Sequence, residues 1–167
     1  SVVIARSDCP VLAVPTHQPT PSNETGLFTR IVCAVDLPPS SRTVIRQALS
    51  LAWETRGRVT YVCAEPKDAA HSPSEIRDRL LAAIPSEANE WCETEVVVTK
   101  GVASAQIVRI AEDEKADLVV IGAPRRGTFT THPVLTRLQC PVLVTHDARP
   151  LPVPDSDRRP DRINTTV

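Results

Sequence analysis

From Arg30 onward, short apolar runs alternate with longer stretches whose apolar residues recur every three or four positions. Arg30 to Val35 is such a run, and its length and composition predict a strand. Pro38, Pro39, Ser40 and Ser41 then supply first-turn and cap chemistry for a helix. That helix stacks Val44, Ala48, Leu51 and Ala52 on one side and stops at Gly57. Arg58 to Ala64 is rich in strand formers, and Ser72-Pro73-Ser74-Glu75 opens a second helix carrying Ile76, Leu80, Leu81 and Ile84, which Pro85 ends. Glu95 to Thr99 is the third predicted strand, and Gly101 turns the chain into a helix with Ile107, Ile110 and Ala111 on one face. Asp117 to Ile121, nearly all Leu, Val and Ile, has the composition of a strand buried on both faces. A short helix over Pro133 to Leu138 and a fifth strand over Val142 to Thr145 complete the pattern. Alternating strands and helices predict an α/β fold, a five-stranded parallel sheet with right-handed crossovers and helices on both faces. Ligands of such sheets sit at the carboxyl ends of the strands, here Val35-Asp36, Cys63-Ala64, and Gly122 with the loop that follows.

The tetrapeptide Cys-Pro-Val-Leu occurs twice, at Cys9 to Leu12 and at Cys140 to Leu143, each time after an Arg and before further apolar residues. The alignment runs without a gap from Val3 to Val14 against Val134 to Thr145. Residues 1–15 therefore read as the last helix and strand of a preceding domain of the same kind, and the chain as the tail of a tandem protein. The Pro-, Ser- and Gly-bearing stretch 16–29 is a linker, 30–146 the full domain, and the Pro-, Asp- and Arg-rich 147–167 a disordered tail. The absence of Met anywhere in the chain fits the same expectation. Val11 to Val14 is expected to pair antiparallel with Val142 to Thr145 as an intramolecular pseudo-dimer. Otherwise two copies pair as a homodimer through Val142 to Thr145, because an exposed apolar edge strand invites a partner.

At 167 residues, 41% hydrophobic and a net charge of -1, the chain suits one core and has no electrostatic pull toward nucleic acid or membrane. No apolar run reaches the roughly 18 residues of a spanning helix, so a cytoplasmic location is expected. The five cysteines show no C-x-x-C and mostly sit in apolar runs, the placement of reduced, buried thiols. A third function class is a redox sensor using the duplicated Cys9 and Cys140. Trp53 and Trp91 are expected as packing residues.

The Ile31-Val32-Cys33-Ala34-Val35-Asp36 opening, the Ala116-Asp117-Leu118-Val119-Val120-Ile121-Gly122 strand and the Cys140-Pro141-Val142-Leu143-Val144 closing strand together resemble the universal stress protein family. The resemblance spans Thr29 to His146 and returns in Ser1 to Pro15. It implies a Rossmann-like fold of the adenine nucleotide alpha hydrolase type, dimerisation through antiparallel last strands, and frequent tandem domains. Some members bind ATP, with an Asp after the first strand near the adenine and a loop of Gly, two residues, Gly, nine residues, Gly and Ser or Thr around the phosphates. On that pattern Ala34, Asp36, Gly122, Arg125, Gly127 and Thr128 are the candidate nucleotide-binding residues. Asp36 and Gly122 match directly, whereas Arg125 stands in the second glycine's place and the long spacer is missing. Gly127-Thr128 takes the position of the terminal pair, and the loop before it is too short to wrap a triphosphate. Pro124 removes one N–H from any phosphate cradle.

No Gly-x-Ser-x-Gly elbow, Walker A sequence or dinucleotide fingerprint is present, and His71, His132 and His146 lack ligand spacing. Neither catalysis nor a metal is expected. The leading expectation is a non-enzymatic regulatory or structural domain in stress response, with a degenerate nucleotide loop and no cofactor. The alternative is a domain binding ATP, ADP or AMP through Asp36 and the 122–128 loop, with Arg125 and Arg126 supplying charge-assisted hydrogen bonds.

Overall fold

The computed structural model describes residues 7, 9–16, 28–37, 41–123 and 130–146. In chain order the elements are β1 (Val11–Ala13), β2 (Arg30–Ala34), α1 (Arg42–Thr55), β3 (Arg58–Glu65), α2 (Pro73–Ala83), α3 (Ala88–Trp91), β4 (Glu93–Lys100), α4 (Ala103–Asp113), β5 (Leu118–Gly122), α5 (Thr131–Arg137) and β6 (Val142–Thr145). They build one six-stranded sheet in the order β1-β6-β5-β2-β3-β4. The strands β2 to β6 run parallel, and β1 lies antiparallel on β6. The expected count of five strands is thus corrected to six. The outer edge of β6 presents unpaired backbone groups, and β1 takes them up. The predicted helix within residues 1–15, most of the 16–29 linker, Pro38 to Ser40 and the 147–167 tail lie outside the described residues.

Successive side chains of a strand point to opposite faces, so each parallel strand feeds two cores. Ile31, Cys33 and Val35 join Val59, Tyr61, Leu118 and Val120 under α1, α2 and α3. Val32, Val62, Val119, Ile121, Val142 and Val144 face the other way, onto α4 and α5. In α1 the buried residues are Val44, Ile45, Ala48, Leu49 and Ala52, so the covered stripe is centred one residue from the expected one and Leu51 is only half-buried. In α2, Ile76 and Leu80 are buried while Leu81 is 48% exposed.

Local chemistry sets the element ends. Ser72 caps α2 as a reciprocal box: its hydroxyl accepts from Glu75 N–H, and its own N–H donates to the Glu75 carboxylate. The Ser72 N–H and the Ser72 hydroxyl both donate to the Glu75 carboxylate, which favours its charged form and holds the Glu75 side chain below its usual range. The helix α1 ends with Arg56, not Gly57, in the left-handed conformation at φ 50. Gly57 answers a different constraint, because a Cβ there lies 2.7 Å from the Thr29 carbonyl oxygen. Gly101 does take positive φ, 131, as the chain turns from β4 to α4. At the β4 edge, Arg77 reaches over from α2 to donate to the Val96 carbonyl at 2.7 Å, covering an acceptor that an edge strand leaves open.

Candidate functional site

The strand order places β2 between β3 and β5, so the connections wind outward in opposite directions from β2 and β5. At such a switch point the loops after the two strands diverge and leave a crevice at the carboxyl edge. Asp36 follows β2 and Gly122 ends β5, so the topology sets both beside that crevice. Ala34, the last residue of β2, is half-buried beneath them, and Asp36 is exposed. Val35 N–H still donates to the Val62 carbonyl at 2.9 Å, so the ladder holds up to the residue before Asp36.

Ser41 fixes the loop between β2 and α1. Its hydroxyl donates to the Asp36 carbonyl at 2.6 Å, its side chain is buried, and it makes no side-chain cap to the helix it precedes. The capping role expected of this Ser is therefore replaced by a tie back to Asp36. Next along the edge, the Cys63 thiol lies 3.9 Å from a carboxylate oxygen of Glu65. Burial pushes that thiol up to about 12, with the Glu65 and Asp36 carboxylates adding to the effect. Two carboxylates thus flank Cys63 at the mouth of β3. Glu65 is a site residue that only the assembled sheet reveals.

On the β5 side, Ala123 N–H donates to the Thr145 carbonyl at 2.6 Å, and the buried Thr145 hydroxyl donates to the Ile121 carbonyl at 3.3 Å. Gly122 has no positive φ, and a Cβ on it meets Val44 Cγ2 at 3.5 Å, an ordinary contact. Its want of a side chain leaves the crevice floor open rather than relieving strain. Arg125, Arg126, Gly127 and Thr128 lie outside the described residues. The structure brings Ala34, Asp36 and Gly122 to one edge, and adds Ser41, Glu65 and Thr145.

The opposite edge is occupied by structural contacts. Asp117 binds the start of β2, and Arg58 pairs with Glu95 beside a depression of about 690 Å³ that Trp91 also lines. Trp53 and Trp91 are 61% and 37% exposed and stack on each other with ring centroids 5.5 Å apart, a surface pair rather than the packing residues expected. Of the cysteines, Cys33, Cys63 and Cys92 are buried, while Cys9 is exposed and Cys140 half-buried. Burial pushes the Cys140 thiol up to about 11, which keeps it protonated and a poor nucleophile. Among the described residues no group of three or more His, Cys, Asp or Glu is placed to hold a metal ion, and no helix is long and apolar enough to cross a membrane.

A family model described as the universal stress protein family matches residues 27–146. No curated protein sequence matches the chain. Among solved structures, a universal stress protein in complex with cAMP is similar at 22% identity and TM-score 0.59, covering 72% of this chain and 98% of that one. The universal stress protein from Archaeoglobus fulgidus in complex with dAMP is 23% identical, with TM-score 0.57 and coverage of 71% and 98%. A universal stress protein from Archaeoglobus fulgidus DSM 4304 is 20% identical at TM-score 0.66, covering 86% of this chain and 52% of that one. These likenesses share the fold seen here, and the family match takes in β2 to β6 together with Asp36 and Gly122. The chain belongs to the universal stress protein family.

Proposed function

We propose that the chain is a non-enzymatic regulatory domain of the stress response, acting in the cytoplasm, whose nucleotide edge has lost the capacity to hold a triphosphate. One observation carries this reading: the first two backbone positions after Gly122 offer no donor. Ala123 N–H is engaged by the Thr145 carbonyl, and Pro124 has no N–H. A phosphate cradle is a row of free amides, and Arg125 stands where the family pattern has its second glycine. Free thiols at all five cysteines fit a reducing compartment.

A second reading is favoured by the other half of the edge. Asp36 is exposed beside Ala34 and Gly122, as an adenine or ribose contact requires, and two of the similar structures hold cAMP and dAMP. On this reading the domain takes an adenosine monophosphate, with Arg125 and Arg126 meeting its one phosphate. Calorimetry with ATP and AMP at low and physiological salt separates the two. The first reading expects neither nucleotide to bind below about millimolar Kd, and micromolar ATP binding that Asp36→Ala abolishes overturns it. The second expects AMP binding that weakens with salt.

The tandem reading has its own support. The longer Archaeoglobus fulgidus chain covers 86% of this chain against 72% for the cAMP complex, and the added share is of the size of the β1 segment. On this reading β1 is the last strand of the preceding domain, held on β6 as a pseudo-dimer.

A further inference from the structure

Trp53 and Trp91 are the only tryptophans in the chain, and both stand at the surface with their rings stacked. Backbone bonds hold the pair in place. Gly57 N–H closes the end of α1 on the Ala52 carbonyl, and Glu93 N–H, two residues beyond Trp91, donates to the Gly57 carbonyl at 3.1 Å. The ends of α1 and α3 are thereby tied together at the amino edge of β3 and β4, opposite the crevice. A single exposed apolar residue needs no explanation, whereas two indoles on fixed backbone make a platform of the kind that receives proline rings and guanidinium groups. The depression beside them is lined by Arg56, Arg58, Glu90, Glu93 and Glu95. Arg58 is already paired with Glu95, and Glu114 and Glu93 also act on it, so that it is held above its usual range. Glu90, Glu93, Glu95 and Glu114 thus outnumber Arg56 and Arg58, and the platform is acidic.

We propose that this platform docks the chain's own C-terminal segment, with Arg158, Arg159 and Pro160 on the tryptophans and the arginines, Arg162 included, against Glu90 and Glu93. The chemistry is complementary, since residues 158–162 read Arg-Arg-Pro-Asp-Arg, three positive charges against one negative. A proline ring lies flat on an indole with its φ already fixed, so little ordering is lost on docking. A guanidinium stacks on an indole while its N–H groups reach carboxylates. The reach is sufficient. The segment leaves the sheet at the carboxyl end of β6, four strand positions from β4. Four spacings of about 4.8 Å and a strand length of about 17 Å put the platform about 25 Å away in the plane of the sheet. Residues 147–157 span about 34 Å at the rise of polyproline II, toward which Pro150, Pro152 and Pro154 bias them. Tethering supplies an effective concentration in the millimolar range, so a contact too weak for a free peptide still fills the site. The proposal concerns the edge away from the crevice and stands whether or not a nucleotide binds.

The test uses the full chain, whose tryptophan fluorescence reports on this surface alone. Arg158→Glu with Arg159→Glu changes the segment and neither core. It is expected to raise the acrylamide quenching constant about 1.5- to 2-fold, as when a site about half filled by a tethered ligand is vacated. Glu90→Arg with Glu93→Arg, at exposed positions, is expected to do the same. Combining the two pairs sets opposite charges face to face again, and quenching is expected to return toward that of the unaltered chain. Protection by a tethered segment is expected to persist on dilution from about 10 to about 0.1 μM. A quenching constant unmoved by Arg158→Glu with Arg159→Glu overturns the inference, and so does a combined variant that is quenched as strongly as either pair. Protection lost on dilution assigns the surface to a second copy and overturns it as well. Should the Glu90 and Glu93 variant not fold, the segment variant alone decides, read at an unchanged thermal transition.

Discussion

Thr29 donates both its backbone N–H and its hydroxyl to one carboxylate oxygen of Asp117, at 2.8 and 2.9 Å, across 88 residues of chain. The second oxygen accepts the Arg30 N–H at 2.9 Å, and Asp117 N–H returns a bond to the Arg30 carbonyl. One side chain thus locks the entry of β2 to the entry of β5, the two strands that flank the crevice at their other ends. Hydrogen bonds to a charged acceptor are worth more than neutral ones, and the site is half-buried. Asp117→Ala is expected to cost about 2 to 4 kcal/mol, read as a lower urea midpoint at unchanged slope. A shift under about 0.5 kcal/mol would mean that the sheet sets this register without the carboxylate.

Gly57 and Gly122 answer different needs, and alanine separates them. At Gly57 the new methyl meets the Thr29 carbonyl at 2.7 Å and the Thr55 hydroxyl at 2.8 Å. Backbone must then move, at a cost of about 1 to 3 kcal/mol. At Gly122 the methyl finds only Val44 at 3.5 Å, so stability should stay within about 0.5 kcal/mol. Thermal unfolding of the two variants side by side checks the ranking. Equal losses at both positions would show that Gly122 is needed for the fold and not for an open crevice.

The elements most open to reading in the chain are those whose local chemistry and packing agree. Ser72 and Glu75 form the capping box that their spacing implies, and Leu118 to Gly122 is buried along four of its five residues, as its composition requires. Four-residue α3 was missed, because a single turn has no periodicity to display. Leu81 follows the helical spacing yet points outward, since α2 covers the sheet with only Ile76 and Leu80. Asp36 was legible as a polar residue at a strand end. The Ser41 tie to it was not, because a Ser before a helix reads the same whether it caps forward or bonds backward. Glu65 joins the edge only through the strand order, which no local pattern contains. The repeat announced two like strands that pair antiparallel, whereas their register, Val11 on Val144 and Ala13 on Val142, needed the assembled sheet.

Tyr61 of β3 is wholly buried, and among the described residues its hydroxyl has no hydrogen-bond partner. Desolvating a hydroxyl without a partner costs free energy that the ring's burial has to exceed. Tyr61→Phe removes the oxygen and keeps the ring, so it is expected to raise stability by up to about 1 to 2 kcal/mol. Tyr61→Ala, which leaves a cavity, is expected to cost about 3 to 5 kcal/mol. Urea titration of the pair checks both signs. A loss on Tyr61→Phe would point to a buried water bonded to the hydroxyl.

Burial also predicts how the fold responds to alkali. It raises the Cys63 thiol from an ordinary 9.0 to about 12, aided by Glu65 and Asp36, and pushes the wholly buried Cys33 and Tyr61 upward as well. In the unfolded chain these groups release protons near their ordinary values, whereas in the folded chain they hold them. The unfolded state therefore binds fewer protons above pH 9, and linkage makes stability fall as pH rises. For Cys63 the contribution is fully present below pH 9 and is lost between pH 9 and about 12. The urea midpoint is expected to be flat from pH 7 to 8.5 and to decline beyond it. Cys63→Ala should make that decline shallower whatever it does to the midpoint at pH 7, because the alanine has no proton to lose. A decline equally steep in the variant would assign the alkaline loss to the other raised groups, Cys33, Cys92, Cys140 and Tyr61, and no decline by pH 11 would mean that the buried thiols ionise as freely in the fold as in water.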